Sequence, residues 1–309
     1  MLSAFAPNFA VLLAARVLLG SISGALLAVG VTFIPELVGA KRSSGALTLV
    51  YASYSVALVV ATSVSEILAS TVGWHVAMYG TLVLSLVASA LLAACMPRSG
   101  KTDEPATARE QARLFGEPSI ISGMLVFVFV FGIGSVYTFY GYVTPYMEQV
   151  LGMDAVAVSG ALVVYGVITF GSNLLSGWVD MRFGLKALVA DFLAQAAILA
   201  GLYVAGSSMP GSLVLVMLLG LVMYVASIPS VSHFMDVARR RYPKALTLAS
   251  SLEPLSFNVG IAFGTFVGGV VVSGPGIGAV GLVGAVLAVI AAVLVGVTLA
   301  LSRREEARG

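Results

Sequence analysis

The chain is poor in charge. Only 10% of its 309 residues are Asp, Glu, Lys or Arg, while 59% are hydrophobic. A soluble globular domain carries roughly a quarter charged residues, so composition excludes a soluble enzyme. Cysteine is nearly absent: Cys95 stands alone, so no internal disulfide forms and a disulfide scaffold is excluded. The net charge of +2 is too small for a nucleic-acid-binding surface. No ten-residue segments of alternating polarity occur, which excludes a transmembrane β-barrel. No metal-ligand spacing, Ser/His/Asp arrangement at membrane depth or nucleotide-binding loop occurs, which argues against an intramembrane enzyme and a primary pump, so no cofactor is expected. His75 and His233 are isolated. Residues 1–7 hold no basic stretch or cleavage site and are not expected to form a signal peptide.

What the sequence does have is apolar runs of about 20 residues or more along its whole length, the transmembrane signature, with a mean hydropathy of +1.05. Loops carrying Pro, Gly or charge cut these runs. The spacing predicts nine helices, at about 8–38, 44–71, 75–96, 117–149, 155–180, 185–206, 211–238, 246–272 and 277–301. The basic residues then fall in alternate connections: Lys41 and Arg42, Arg98 to Arg113, Arg182 and Lys186, Arg239 to Lys244, and Arg303 to Arg308. Every basic residue except Arg16 lies on one side. The positive-inside rule makes that side cytoplasmic, with the N-terminus outside and the C-terminus inside. The expected fold is therefore an all-α integral membrane bundle, multi-pass in a bacterial plasma membrane and monomeric.

The polar stretch 97–116 is a cytoplasmic linker between residues 1–96, with three helices, and 117–309, with six. An internal repeat connects the two parts. Ala46-Leu47-Thr48-Leu49 and Ala245-Leu246-Thr247-Leu248 each follow a basic loop and open an inside-to-outside span, at an offset of 199 residues. Parallel repeats about an axis normal to the membrane build one large transporter class. Extending the offset implies a unit of twelve helices and about 390 residues, with three helices expected before Met1.

That architecture resembles the major facilitator superfamily, and several motifs carry the likeness. Gly177-Trp178-Val179-Asp180-Met181-Arg182-Phe183-Gly184 resembles the loop motif G-x-x-D-R/K-x-G, with its basic residue displaced by one. Arg16-Val17-Leu18-Leu19-Gly20 resembles the R-x-x-x-G motif of the fourth helix, and residues 4–9 resemble the loop before it. Ser250 to Gly269 and Tyr142 to Gly152 are similar to parts of the eleventh and seventh helices of the arabinose-efflux-permease-like, drug:proton antiporter branch. One departure stands out. Where that branch has G-P-x-x-G-G, residues 61–66 read Ala-Thr-Ser-Val-Ser-Glu. The resemblance implies a proton-coupled secondary transporter that exports a small organic molecule, drug or sugar-like, by alternating access. The other reading is a shortened, non-transporting member of the family.

Ionisable residues inside a bilayer default to functional candidates. Arg16 cannot lose its proton, but it can tune a carboxylate or bind an anion; the family links this arginine to proton coupling. Glu66 lies at matching depth, either paired with Arg16 or facing an outer vestibule. Glu253 is either a proton carrier beside a helix break at Pro254 or an interfacial partner of the Arg239–Lys244 cluster. Asp191 is expected to snorkel to the cytoplasmic interface. Asp236 is expected to cap or pair near Arg239. In the family, Gly177, Asp180, Arg182 and Gly184 form a cytoplasmic gate that locks the outward-open state; otherwise they are a generic turn. Tyr137, Tyr140 and Thr144 recur at i, i+3, i+7 and can line a cavity from one helical face, with Asn173 and Asn258 as further polar candidates. Tyr142 and Tyr146 fit an outer aromatic belt better. The Gly260-x-x-x-Gly264-x-x-x-Gly268 ladder is expected to bring two backbones close.

Overall fold

The computed structural model describes residues 71–95, 107–125 and 132–306, with isolated positions before residue 71. The expected spans over 8–38 and 44–71 are described only at such positions, and Arg16 and Glu66 lie outside the described residues. The elements are α1 (Trp74–Cys95), α2 (Ala108–Leu114), α3 (Pro118–Gly123), α4 (Gly132–Tyr140), α5 (Val143–Gln149), α6 (Ala155–Phe183), α7 (Ala187–Ala205), α8 (Met209–Val222), α9 (Ser227–Arg241), α10 (Leu246–Ser273) and α11 (Val280–Glu306). Short 3-10 turns at 184–186, 243–245 and 277–279 join some of them, and no strand occurs among the described residues.

Among the described residues, five helical runs are long and apolar enough to cross a membrane: His75–Cys95, Ala155–Ala205, Met209–Arg241, Leu248–Ser273 and Ile277–Arg304. The second is 51 residues long, about twice what one crossing needs. Gly184 divides it. Its φ of 54° is open to glycine at little cost, and it ends α6 there. The start of α6 is set by Asp154, whose Oδ1 accepts the Ala157 N–H at 2.8 Å, an N-cap bond.

The expected helix over 117–149 is not continuous. It is described as α3, α4 and α5, with α4 stopping at Tyr140 and α5 starting at Val143. Proline has no N–H, so Pro145 leaves the Gly141 carbonyl without its helical donor, and the chain breaks at that point. By contrast, α10 runs unbroken through Pro254, and the expected break beside Glu253 is absent. A helix inside a membrane bundle tolerates the missing bond where surrounding groups take up the freed carbonyl.

Lipid tails are as apolar as leucine, so helices in a bilayer associate through close packing and hydrogen bonds. The most extensive contacts are of α11 with α7 and of α10 with α4. The glycine ladder produces the second. A Cβ on Gly264 would come within 2.8 Å of the Gly134 Cα, and one on Gly268 within 2.5 Å of the Thr138 carbonyl oxygen. The main core lies around Phe139, Tyr146, Phe192, Leu199 and Leu219. A second, smaller cluster of Leu114, Ile120, Phe234, Ala238, Ala249 and Leu252 sits at the end that carries the Arg239–Lys244 basic group.

Gly264→Val is expected to destabilise the bundle by about 1–3 kcal/mol or more, read as a lower unfolding midpoint in detergent. A Cβ on Gly160 of α6 would meet open space, so Gly160→Ala should leave the midpoint unchanged or raise it. Equal effects from the two substitutions would remove the close-approach account.

Candidate functional site

The run Met209–Arg241 breaks between α8 and α9, at Met223 to Ala226. Pro229 is the chemical cause. In a continuous helix its missing N–H would have bonded the Val225 carbonyl. Free backbone groups are costly at membrane depth, and side chains of two neighbouring helices take them up. Ser176 of α6 donates its hydroxyl to the Val225 carbonyl at 2.9 Å and accepts the Ile228 N–H at 3.0 Å. Ser172, one turn earlier, accepts the Tyr224 N–H at 2.9 Å. Gln195 of α7 donates to the Val222 carbonyl at 3.3 Å.

Two carboxyl groups lie against this break. Glu253 of α10 is only 4% exposed, and Ser227, the first residue of α9, is its neighbour. It does not pair with the basic cluster: Arg239 approaches Asp236 at 3.7 Å, and Arg241 turns to Glu117. Asp191 is also buried and accepts the Gln195 side-chain N–H at 2.9 Å. The expected snorkelling does not occur, because Gln195, one turn along α7, supplies the donor that water would have supplied.

A chain of five rings links α6, α4, α10 and the break. Tyr165 stacks on Tyr140 at 5.1 Å, Tyr140 meets Tyr137 edge-on at 5.4 Å, Tyr137 meets Phe257 at 6.2 Å, and Phe257 stacks on Tyr224 at 5.8 Å. Phe257 is one turn from Glu253 on α10, and Tyr224 lies in the break. The structure therefore brings together Tyr137 and Tyr140 among the candidates, with Glu253 one turn from their ring partner Phe257. Thr144 falls in α5, beyond the break at Gly141, so the continuous face expected from i, i+3, i+7 spacing ends at Tyr140. Asn258 is on the exposed side of α10, and its side chain donates to the Pro254 carbonyl at 2.8 Å. Asn173 is half-buried and donates to the Thr169 carbonyl at 3.2 Å. Tyr146 is 2% exposed, with its hydroxyl 3.3 Å from the Gly206 carbonyl. It fastens α5 to the end of α7, and the expected belt position is corrected.

The motif residues sit at the end of α6. Asp180 accepts the Ser232 hydroxyl of α9 at 2.7 Å, Arg182 is exposed, and Gly177 packs at the Ile228 side chain. Nearby is a cluster that no sequence motif signalled. Glu117, just before α3, accepts from Arg241 at 2.9 Å and from the Tyr242 hydroxyl at 2.7 Å. This latch closes over the smaller core cluster and ties the start of α3 to the end of α9. The sequence held clues to the break in Pro229 and in the i, i+4 pair Ser172 and Ser176. It held none to the latch, whose members are more than 120 residues apart.

Broken helices and buried carboxyls inside an apolar bundle define a polytopic helical membrane protein. The family model for the Major Facilitator Superfamily matches residues 1–250, and the chain belongs to that superfamily. It is 26% identical to YdhP, an inner membrane transport protein of Escherichia coli K12, over 96% of this chain and 74% of that protein. It is 24% identical to the purine ribonucleoside efflux pump NepI of Salmonella paratyphi B, over 72% of this chain and 55% of that one. In structure it is similar to the E. coli fucose:proton symporter FucP, with a TM-score of 0.64 and 15% identity over 96% of this chain and 78% of that one. Like these relatives, the protein is a multi-pass membrane protein.

The hydrogen bond from Tyr242 to Glu117, with burial and the Glu117 charge, pushes the phenol above its ordinary value of 10.0. A raised folded value means that this stability is complete below the unfolded value and is lost as pH rises through the folded one. Stability measured from pH 8 to 12 should therefore fall in the alkaline range above 10, and Tyr242→Phe should flatten that part of the curve. An unchanged profile in Tyr242→Phe would exclude the phenol from the latch.

Proposed function

We propose that the protein is a secondary transporter that couples proton movement to export of a small organic molecule by alternating access. The observation that carries this reading is Glu253, buried against the break between α8 and α9 beside Ser227. An acidic side chain at membrane depth costs on the order of 3 kcal/mol, and a broken helix at that depth marks binding sites in transporters. Proton binding at Glu253 removes a buried charge beside the start of α9. It thereby biases one of two arrangements of the halves. The half-buried Tyr137 and Tyr140 offer ring faces and hydroxyls to a drug or sugar-like substrate, with Thr144, Asn173 and Asn258 further out. The name of NepI supports the direction of transport, and that of FucP supports proton coupling.

In this reading the chain crosses the membrane nine times, with its C-terminus in the cytoplasm, and works as a monomer. Residues 1–96 belong to one half, 97–116 link, and 117–309 form the other. Arg16 and Glu66 are the coupling candidates of the first half. Gly177, Asp180, Arg182 and Gly184 form the cytoplasmic gate.

Proteoliposomes with an imposed pH gradient test the reading, with ethidium and a radiolabelled pentose as probes. The gradient should speed flux of one probe at least tenfold. Glu253→Gln should abolish that acceleration while leaving gradient-independent exchange. Equal flux with and without the gradient would end the coupling claim.

A further inference from the structure

The contacts between α6 and the segment running from the break into α9 share a single register. Ser172 accepts the Tyr224 N–H, Ser176 accepts the Ile228 N–H, and Asp180 accepts the Ser232 hydroxyl. Each pair is 52 residues apart. Both sides advance in steps of four, so the three acceptors form one stripe on α6 and the three donors form the facing stripe. Two of the donors are backbone N–H groups at the break caused by Pro229. The third lies on the motif aspartate, about two turns further along. Ser227, adjacent to the middle rung, is a neighbour of Glu253. Helix α8, on the other side of the break, carries none of the three rungs.

We infer that Ser172, Ser176 and Asp180 are positioning residues for transport, which yoke α6 and α9 into one moving body and so hold Ser227, the start of α9, in place beside Glu253. The inference rests on the transporter reading. It gives Asp180 a partner inside its own half, at the lower end of a polar stripe that begins at the break. A change at either end of the stripe is carried to the other because the rungs cannot shift singly. A slip by one residue would turn every side chain off the facing stripe.

Two measurements on the full chain test this. Hydrogen exchange of the peptide covering 222–232 needs no transport. Exchange should quicken about tenfold or more in Ser172→Ala and Ser176→Ala. It should stay unchanged in Ser85→Ala, whose hydroxyl bonds the Thr81 carbonyl within α1. The second measurement is ethidium flux driven by a pH gradient, in a Cys95→Ser background carrying Ser176→Cys and Ile228→Cys. Reduced, the pair should lose at least fivefold in flux. Oxidised, the disulfide replaces the rung and should restore flux to within twofold of the background, as Ser176→Thr should in the native chain. Exchange that does not respond to Ser176→Ala overturns the inference. So does a cross-linked pair whose oxidation blocks flux, because the helices must then part during the cycle. Reduced cysteines with full flux overturn it as well. Absence of flux in the unaltered chain would instead strike the transporter reading, while the exchange measurement would still decide the yoke.

Discussion

A backbone carbonyl or N–H left bare in hydrocarbon is the constraint around which the C-terminal part of this protein is organised. Pro229 creates such groups in the middle of an apolar run. One serine, Ser176, donates to the Val225 carbonyl and accepts from the Ile228 N–H. Those two bonds fix where α8 stops, where α9 starts and which way α9 leaves. The position of Ser227, the neighbour of Glu253, follows from them. A proline tolerated by its neighbours thus becomes the point at which an acidic side chain can enter the bundle.

Close packing does the rest. Water is absent from the hydrocarbon, so burying leucine against leucine gains little over leaving it in lipid. Cohesion comes instead from short backbone approaches, as at Gly264 on Gly134, and from polar ties such as Tyr146 to Gly206. The same economy of polar groups explains Asp191. Buried, it keeps Gln195 as its donor, and Gln195 in turn serves the Val222 carbonyl beside the break. At the basic end water is available, and the Glu117 latch with Arg241 and Tyr242 is a cluster of ordinary interfacial chemistry.

Helix ends were legible in the sequence to within a few residues where the chain carries local breaks, as between the expected spans 155–180 and 185–206 around Gly184. The close approach of two backbones was legible at the Gly260 to Gly268 ladder, because only small residues permit it. Proline was not legible by itself. Pro145 and Pro229 fall beside breaks while Pro254 lies inside a continuous helix, and what separates them is how neighbours hold the chain. Of the candidates for the site, Tyr137 and Tyr140 pack together in a ring chain that reaches Phe257, one turn from Glu253. Thr144 does not share their helix, since its spacing argument assumed a straight helix through Gly141.

The sequence by itself determined that the chain is an apolar helical membrane protein with its basic residues in alternate connections. Charge and hydropathy act on each segment separately, so order along the chain is enough to read them. Only the tertiary structure decided which polar groups meet. Ser172, Ser176 and Asp180 are unremarkable on α6 until α9 lies alongside, and Glu117 lies more than 120 residues from the arginine it holds. Hydrogen bonds act over about 3 Å. Their partners are therefore set by how the helices pack, which no local pattern records.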